Sequence, residues 1–232
     1  MVMVITNTRM IEPGAQLRLW QLISPSLPVG AYAYSGGLEA AIEAGWVSNK
    51  QQAREWIEDL LLHALAHLDV PVFQRLYKSV QAQDLAQFQY WNDYILASRE
   101  SAELLQEDRH LGRALLRLIK DLGIKTEVFK AEQHYSYVSL FAYASLEWKI
   151  LMQEALHGIL WSWCENQVAA AIKLVPLGQT AGQQILGHLQ QAIPAAVQSG
   201  LALDDASIGF TLPGLGIVSA HHESQYSRLF RS

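Results

Sequence analysis

The placement of helix breakers constrains this chain most. Its seven prolines lie at 13, 25, 28, 71, 176, 194 and 213, so none falls between Pro71 and Pro176. Glycine is absent from Trp46 to Leu111. Proline removes a backbone donor and glycine carries a high conformational entropy, so long runs free of both favour helices. No stretch shows a convincing period-2 alternation, and the pattern predicts an all-α fold. We expect a single-domain helical bundle of about eight to ten helices built round a long apolar central helix.

Individual helices follow from capping and periodicity. Ser48-x-x-Gln51 is a capping-box pattern, and Trp56, Leu60, Leu61, Ala64, Leu65 and Leu68 then recur at helical spacing to about Asp69. Asp69-Val-Pro71 interrupts that helix, and a second run reaches about Val80. Asp84 to Ala97 and Arg99 to Leu122 read as two more, the latter closed by Gly123 at C′. Ser136 to Leu174 is a nearly continuous apolar helical region that Gly158 is placed to break. Thr180-x-x-Gln183 predicts the start of a helix to about Ser199, with Pro194 kinking or splitting it. Leu201 to Gly216 reads as a loop, and Ile217 to Phe230 as a last short helix.

Two regions stand out against this background. Two prolines and three glycines fall between Pro25 and Gly37, beside Tyr32 and Tyr34. That is a shaped loop, structural or a contact surface. Between Leu174 and His222 the only Asp, Glu, Lys or Arg residues are Asp204 and Asp205. Glutamines, glycines and Pro194 break that span up, so it is no membrane helix. A charge-poor stretch of this kind belongs in a core or against another chain.

Composition excludes several classes. At net charge −5 the chain offers no footprint for nucleic acid. Its single cysteine, Cys164, rules out an internal disulfide, fits a reducing compartment and reads as a small core residue. Met1 to Thr8 lacks the basic start of a signal peptide. No phosphate loop, dinucleotide fingerprint or nucleophile elbow is present, and His222-Glu223 fails as HExxH because Tyr226 stands at the partner position. His63 and His67 could share an ion, but they continue the Trp56/Leu60 stripe and read as packed histidines. His221 and His222, with Glu223, read as exposed and able to bind a transition metal weakly. Arg109, Arg113 and Arg117 recur every fourth residue as a basic ridge, either a solvated face or a dock for an acidic partner. The tail Ser227-Arg-Leu-Phe-Arg-Ser232 alternates cationic and apolar groups, as a segment ordering on a partner would.

Three stretches resemble the urease accessory protein F family (UreF). They are Leu27-Pro-Val-Gly30 with Ser35-Gly-Gly-Leu-Glu39, then Ala170-Ala-Ile-Lys-Leu-Val-Pro-Leu-Gly-Gln-Thr-Ala-Gly-Gln183, and His222-Glu through Arg228-Leu-Phe-Arg-Ser232. Arg99-x-x-x-Glu103 and Glu107-Asp-Arg-His-Leu-Gly112 resemble the family's middle helix. The departures are Leu27 where Phe is common, Tyr34 for His, Lys173 for Arg, and Ala181 where Asp is frequent.

The resemblance implies a dimeric, cytoplasmic, non-enzymatic adaptor. It implies binding to the D- or H-type urease accessory protein and to the nickel-carrying GTPase, accessory protein G, on apo-urease. No cofactor is expected, since nickel passes through the complex, and neither nucleic acid nor membrane is an expected partner. Tyr32 and Tyr34 in the opening loop and Arg228, Leu229, Phe230 and Arg231 in the tail are the expected partner-binding residues. Pro28, Gly30, Gly36, Gly37, Pro176, Gly178, Gln179 and Gly182 are expected to shape the turns. In this layout residues 1–14 are a flexible segment, 15–220 the helical domain and 221–232 the partner-binding tail. Two other classes stay open: a direct nickel carrier through His63/His67 or His221/His222/Glu223, and a factor acting on the GTPase through Arg109, Arg113 or Arg117.

Overall fold

The computed structural model describes residues 12–209 and 212–232. Among them it has ten α-helices and no strand: α1 Pro13–Leu22, α2 Leu38–Glu43, α3 Lys50–Asp59, α4 Asp69–Gln81, α5 Leu85–Ala97, α6 Ala102–Asp121, α7 Tyr137–Glu147, α8 Met152–Leu174, α9 Gln179–Leu201 and α10 Pro213–His222. The all-α bundle is therefore as expected. Residues 1–11 of the expected flexible segment lie outside the described residues, whereas Pro13 and Gly14 already form the first turn of α1.

Helix α7 is the axis. Val138 to Ser145 are all buried, and α4, α5, α6 and α8 pack around them. An unbroken run of buried positions needs neighbours on every side, which explains why α7 shows no amphipathic stripe. The long apolar region does break, but not at Gly158. Helix α7 ends at Glu147, Lys149 takes a left-handed φ of 57°, and the Ile150 N–H returns to the Ser145 carbonyl at 2.8 Å. Gly158 instead lies inside α8, where a Cβ would come within 2.7 Å of Leu19 Cδ1. Its missing side chain lets α1 lie against α8.

Two caps differ from expectation. Asn49, not Ser48, caps α3: its side chain accepts the Gln52 N–H at 3.0 Å, while Gln52 Oε1 accepts the Ser48 N–H at 2.9 Å. The cap thus forms one residue later than expected, and Gln52 reaches back to the residue before the cap. Helix α9 starts at Gln179 with Gly178 as N-cap, so Thr180 lies in its first turn and caps nothing. Pro194 sits inside α9 without splitting it, and the helix runs on to Leu201. Gly123 does take the expected place after α6, at φ 88°.

Leu60–Leu65 continues α3 as a π-helical turn. The wider turn rotates the residues downstream of it relative to an α-helical stripe. His63 is consequently exposed, where the stripe placed it in the core, and His67 is half-buried. Helix α10 opens at Pro213 and ends at His222, earlier at both ends than expected. Proline suits a first helical position, and the tail beyond has other hydrogen-bond partners.

Helix α6 lies so close to the 135–136 backbone that a Cβ on Gly112 would stand 1.9 Å from the Tyr135 carbonyl oxygen. Just beside this contact Asp108 accepts the Ser136 hydroxyl at 2.8 Å, the Tyr137 N–H at 2.7 Å and Arg99 Nε at 2.8 Å. Arg99 also pairs with Asp69 at 3.0 Å. One buried guanidinium thus joins α4, α6 and the start of α7, and its two carboxylates compensate the charge.

Candidate docking site where loop, turn and tail meet

Three sequence-distant stretches converge around Glu39. In the opening loop Gly30, Gly36 and Gly37 have φ of 82°, 59° and 84°, conformations that side-chain-bearing residues avoid. This backbone turns the chain through a short 3-10 segment, Ala31–Ala33, into α2. Glu39 in the first turn of α2 is buried, and its carboxylate needs donors. They come from the tail: the Leu229 N–H at 2.7 Å and the Phe230 N–H at 2.9 Å. His222 Nε2 stands 3.2 Å from the same carboxylate, and its Nδ1 lies 2.6 Å from Glu103 on α6. Glu103 also holds Arg228 at 2.7 Å.

The rest of the tail is pinned by backbone. The Arg231 N–H donates to the Ala33 carbonyl at 2.9 Å, and the Ser35 N–H donates to the Ser232 main-chain oxygen at 3.0 Å. The Ser35 hydroxyl donates to that oxygen too, and the Ser232 hydroxyl donates to Glu107 at 2.6 Å. Burial, with Asp108 alongside, pushes the Glu107 carboxyl up to about 7, and the Ser232 bond offsets only part of that. Phe230 is buried, with the Lys173 ammonium over its ring at 5.5 Å. Lys173 lies in the last turn of α8, just before the Pro176–Gly178 turn, so the third motif stretch reaches the same place.

The expected contact residues therefore divide. Tyr32 and Leu229 are exposed at 70% and 66% of their surface, and Arg228 and Arg231 also face solvent. Tyr34 is not displayed. It is buried, its hydroxyl lies 3.0 Å from His110 Nδ1, and Asn166 Nδ2 donates to its carbonyl at 3.1 Å. Phe230 likewise points into the fold. The tail is ordered on its own chain, held through its main chain and through the side chains of Arg228 and Ser232. Glu39, Glu103, Glu107 and Ser35 do this holding. Nothing in the side-chain pattern marks them as contact residues, although Glu39 ends the Ser-Gly-Gly-Leu-Glu motif.

Among the turn residues, Pro28, Pro176, Gly178 and Gln179 lie at the surface, while Gly37 and Gly182 are buried. Gly182 lets α9 approach α8, since a Cβ there would meet Ile172 Cδ1 at 2.4 Å. The metal candidates do not assemble. His221 is exposed, but His222 is fully buried between two carboxylates on opposite sides of its ring, contrary to the exposed placement expected of it. No group of three His, Cys, Asp or Glu side chains among the described residues is arranged to hold an ion. Next to the site lies a largely apolar cavity of about 170 Å³ that Gly36, Trp163 and Asn166 line together with Glu107 and Asp108.

The UreF family model matches residues 47–190, more than half of the chain. The chain belongs to the UreF family. Urease accessory protein UreF of Alkalilimnicola ehrlichii is 49% identical over 223 residues, covering 95% of this chain and 98% of that protein. Its counterpart in Teredinibacter turnerae is 47% identical, covering 93% and 98%. That of Pseudoalteromonas translucida is 43% identical, covering 98% and 99%. Each of these matches covers more of the chain than the family model does. In this UreF-family chain no helix among the described residues is long and apolar enough to cross a membrane.

Proposed function

We propose that the chain is a non-catalytic adaptor in urease maturation, joining the D- or H-type accessory protein to the nickel-carrying GTPase on apo-urease. The observation that carries this reading is the convergence of the three motif stretches on one surface, tied by Glu39 to Leu229 and Phe230. A catalytic centre would gather reactive side chains. Here Glu39 holds main-chain N–H groups of the tail while Glu103 and Glu107 hold its side chains, and Tyr32, Leu229 and two arginines face outward. Exposed aromatic and arginine side chains on an ordered frame suit a protein interface.

In this reading the D- or H-type partner meets the tail and opening loop, the chain works as a homodimer in the cytoplasm, and nickel is cargo passing through the complex. The test is co-purification with the D- and G-type partners followed by activation of apo-urease in nickel and GTP. A chain lacking residues 227–232 is expected to keep its helical content and lose the D-type partner. Normal capture by that truncated chain would remove the tail from the interface.

A further inference from the structure

Up to Lys120, helix α6 engages its acidic side chains within the fold and turns most of its basic ones outward. Three of its four acidic residues, at 103, 107 and 108, are engaged within the fold, by His222 and Arg228, by Ser232, and by Arg99 and Ser136, and the fourth, Asp121, is exposed at its last position. Arg109, Arg113 and Arg117 make no ion pair with any described residue; Arg113 and Arg117 are exposed, and Lys120 continues the exposed cationic face. His110 is exposed too, with its Nδ1 near the Tyr34 hydroxyl. A chain of net charge −5 thus presents a cationic ridge from Arg109 to Lys120, which Asp121 ends.

Arg109 is the end of that ridge which is built into a site. It is half-buried, and its Nε is shielded from solvent with no hydrogen-bond partner. A donor left in that state costs free energy that an incoming acceptor recovers. Arg109 lines a groove of about 340 Å³ between α5 and α6, which Gln133 and His134 close. The carboxylate in its lining, Asp93, is occupied: its Oδ1 accepts Gln89 Nε2 at 2.7 Å and Asn92 Nδ2 at 3.3 Å. The groove therefore has a cationic donor to satisfy, and the ridge leads out of it in steps of roughly 6 Å, one helical turn each.

We propose that this groove and ridge dock an acidic helical segment of a partner protein. One carboxylate enters the groove at Arg109, and others spaced four residues apart on the segment meet Arg113 and Arg117. A short segment is favoured over an extended polyanion because the protein beyond the ridge is net acidic and repels one. The groove and its three arginines share no residue with the loop-and-tail contacts, and this docking does not rest on the urease reading.

The test uses the full-length chain and two fluorescein-labelled peptides of equal Glu and Ala content. One carries Glu at every fourth position, the other carries all its Glu in one terminal block. Fluorescence anisotropy at low salt is expected to show saturable binding of the spaced peptide and weaker binding of the block peptide. The Arg109→Gln/Arg113→Gln/Arg117→Gln variant, with wild-type circular dichroism, is expected to lose at least about tenfold in affinity. The corresponding triple Lys variant, which keeps the charge, should bind better than the triple Gln variant. No saturable binding by the wild-type chain, equal binding of the two peptides, or unchanged binding by the triple Gln variant overturns the proposal. Equal displacement by a DNA duplex or by phosphatidylserine vesicles overturns it as well, since the ridge would then be a general anion surface.

Discussion

Glu39, on the first turn of α2, accepts the main-chain N–H of Phe230 at 2.9 Å across 191 residues of sequence. The same carboxylate takes the Leu229 N–H at 2.7 Å, so one side chain closes the end of the chain onto its opening loop. Bonds to a buried carboxylate are charge-assisted and stronger than neutral ones.

Replacing that carboxylate should release the tail without unfolding the bundle. Glu39→Ala leaves two N–H groups unpaired and His222 facing Glu103 alone. A loss of about 2 kcal/mol is expected, with faster amide exchange at residues 228–231 and little change in α7. Hydrogen exchange read by mass spectrometry checks it. Unaltered protection of the tail would show that Glu39 does not hold it.

The four aromatic and apolar residues of the site should separate by burial. Tyr34→Ala and Phe230→Ala remove buried side chains and should each lower stability by about 3 kcal/mol. Tyr32→Ala and Leu229→Ala remove exposed ones and should stay within about 0.5 kcal/mol while weakening capture of the D-type partner. Urea unfolding and a pull-down on the same four variants provide both readouts. A Tyr32/Leu229 double variant that captures normally argues against the outward face of this site.

Glu107 gives stability a defined pH dependence. Its carboxyl is raised from 4.5 to about 7 in the folded chain, burial being the main cause. Between those values the folded state holds a proton that the unfolded state has released. Stability contributed here is therefore lost as pH rises from about 4.5 through 7. Glu107→Gln should remove this component, flattening the decline by about 2 kcal/mol between pH 5 and 8. Chemical denaturation across that range measures it; parallel curves for variant and wild type would contradict the assignment.

Gly112 and Gly187 should respond oppositely to alanine. At Gly112 the added Cβ would collide with the Tyr135 carbonyl at 1.9 Å, and a loss of about 3 kcal/mol is expected. At Gly187, inside α9, nothing lies within 4 Å, so alanine should stabilise by about 0.5–1 kcal/mol. Thermal melts of the two variants make the comparison directly.

Cys164 should be inert in the native chain. It is fully buried, and burial pushes its thiol up to about 12, so almost no thiolate is present at neutral pH. Ellman's reagent is expected to count no thiol in the folded protein and one after denaturation. Rapid native labelling would mean that the α8 core opens readily.

Much of the bundle is legible in the sequence because helices are local. Asp84 and Gly123 mark ends that the structure keeps, since a cap involves only a few neighbouring residues. The break at Lys149 is not legible, because Trp148-Lys149-Ile150 contains no breaker and burial of Ile150 is what favours the turn. The π-turn at Leu60–Leu65 is equally hidden, and with it the exposure of His63.

The sequence by itself determined the helical class, the absence of familiar catalytic motifs and the family, because breakers, caps and motif spacing are written along the chain. Only the tertiary structure decided which site residues face outward. Tyr32 and Tyr34 are two positions apart and chemically alike, yet one is exposed and the other bonded to His110 inside. The tail's partners are main-chain groups meeting Glu39, Ser35 and Ala33 across nearly the whole length of the chain. A backbone N–H is the same at every residue, so its choice of acceptor is settled by where the packed helices bring the acceptors.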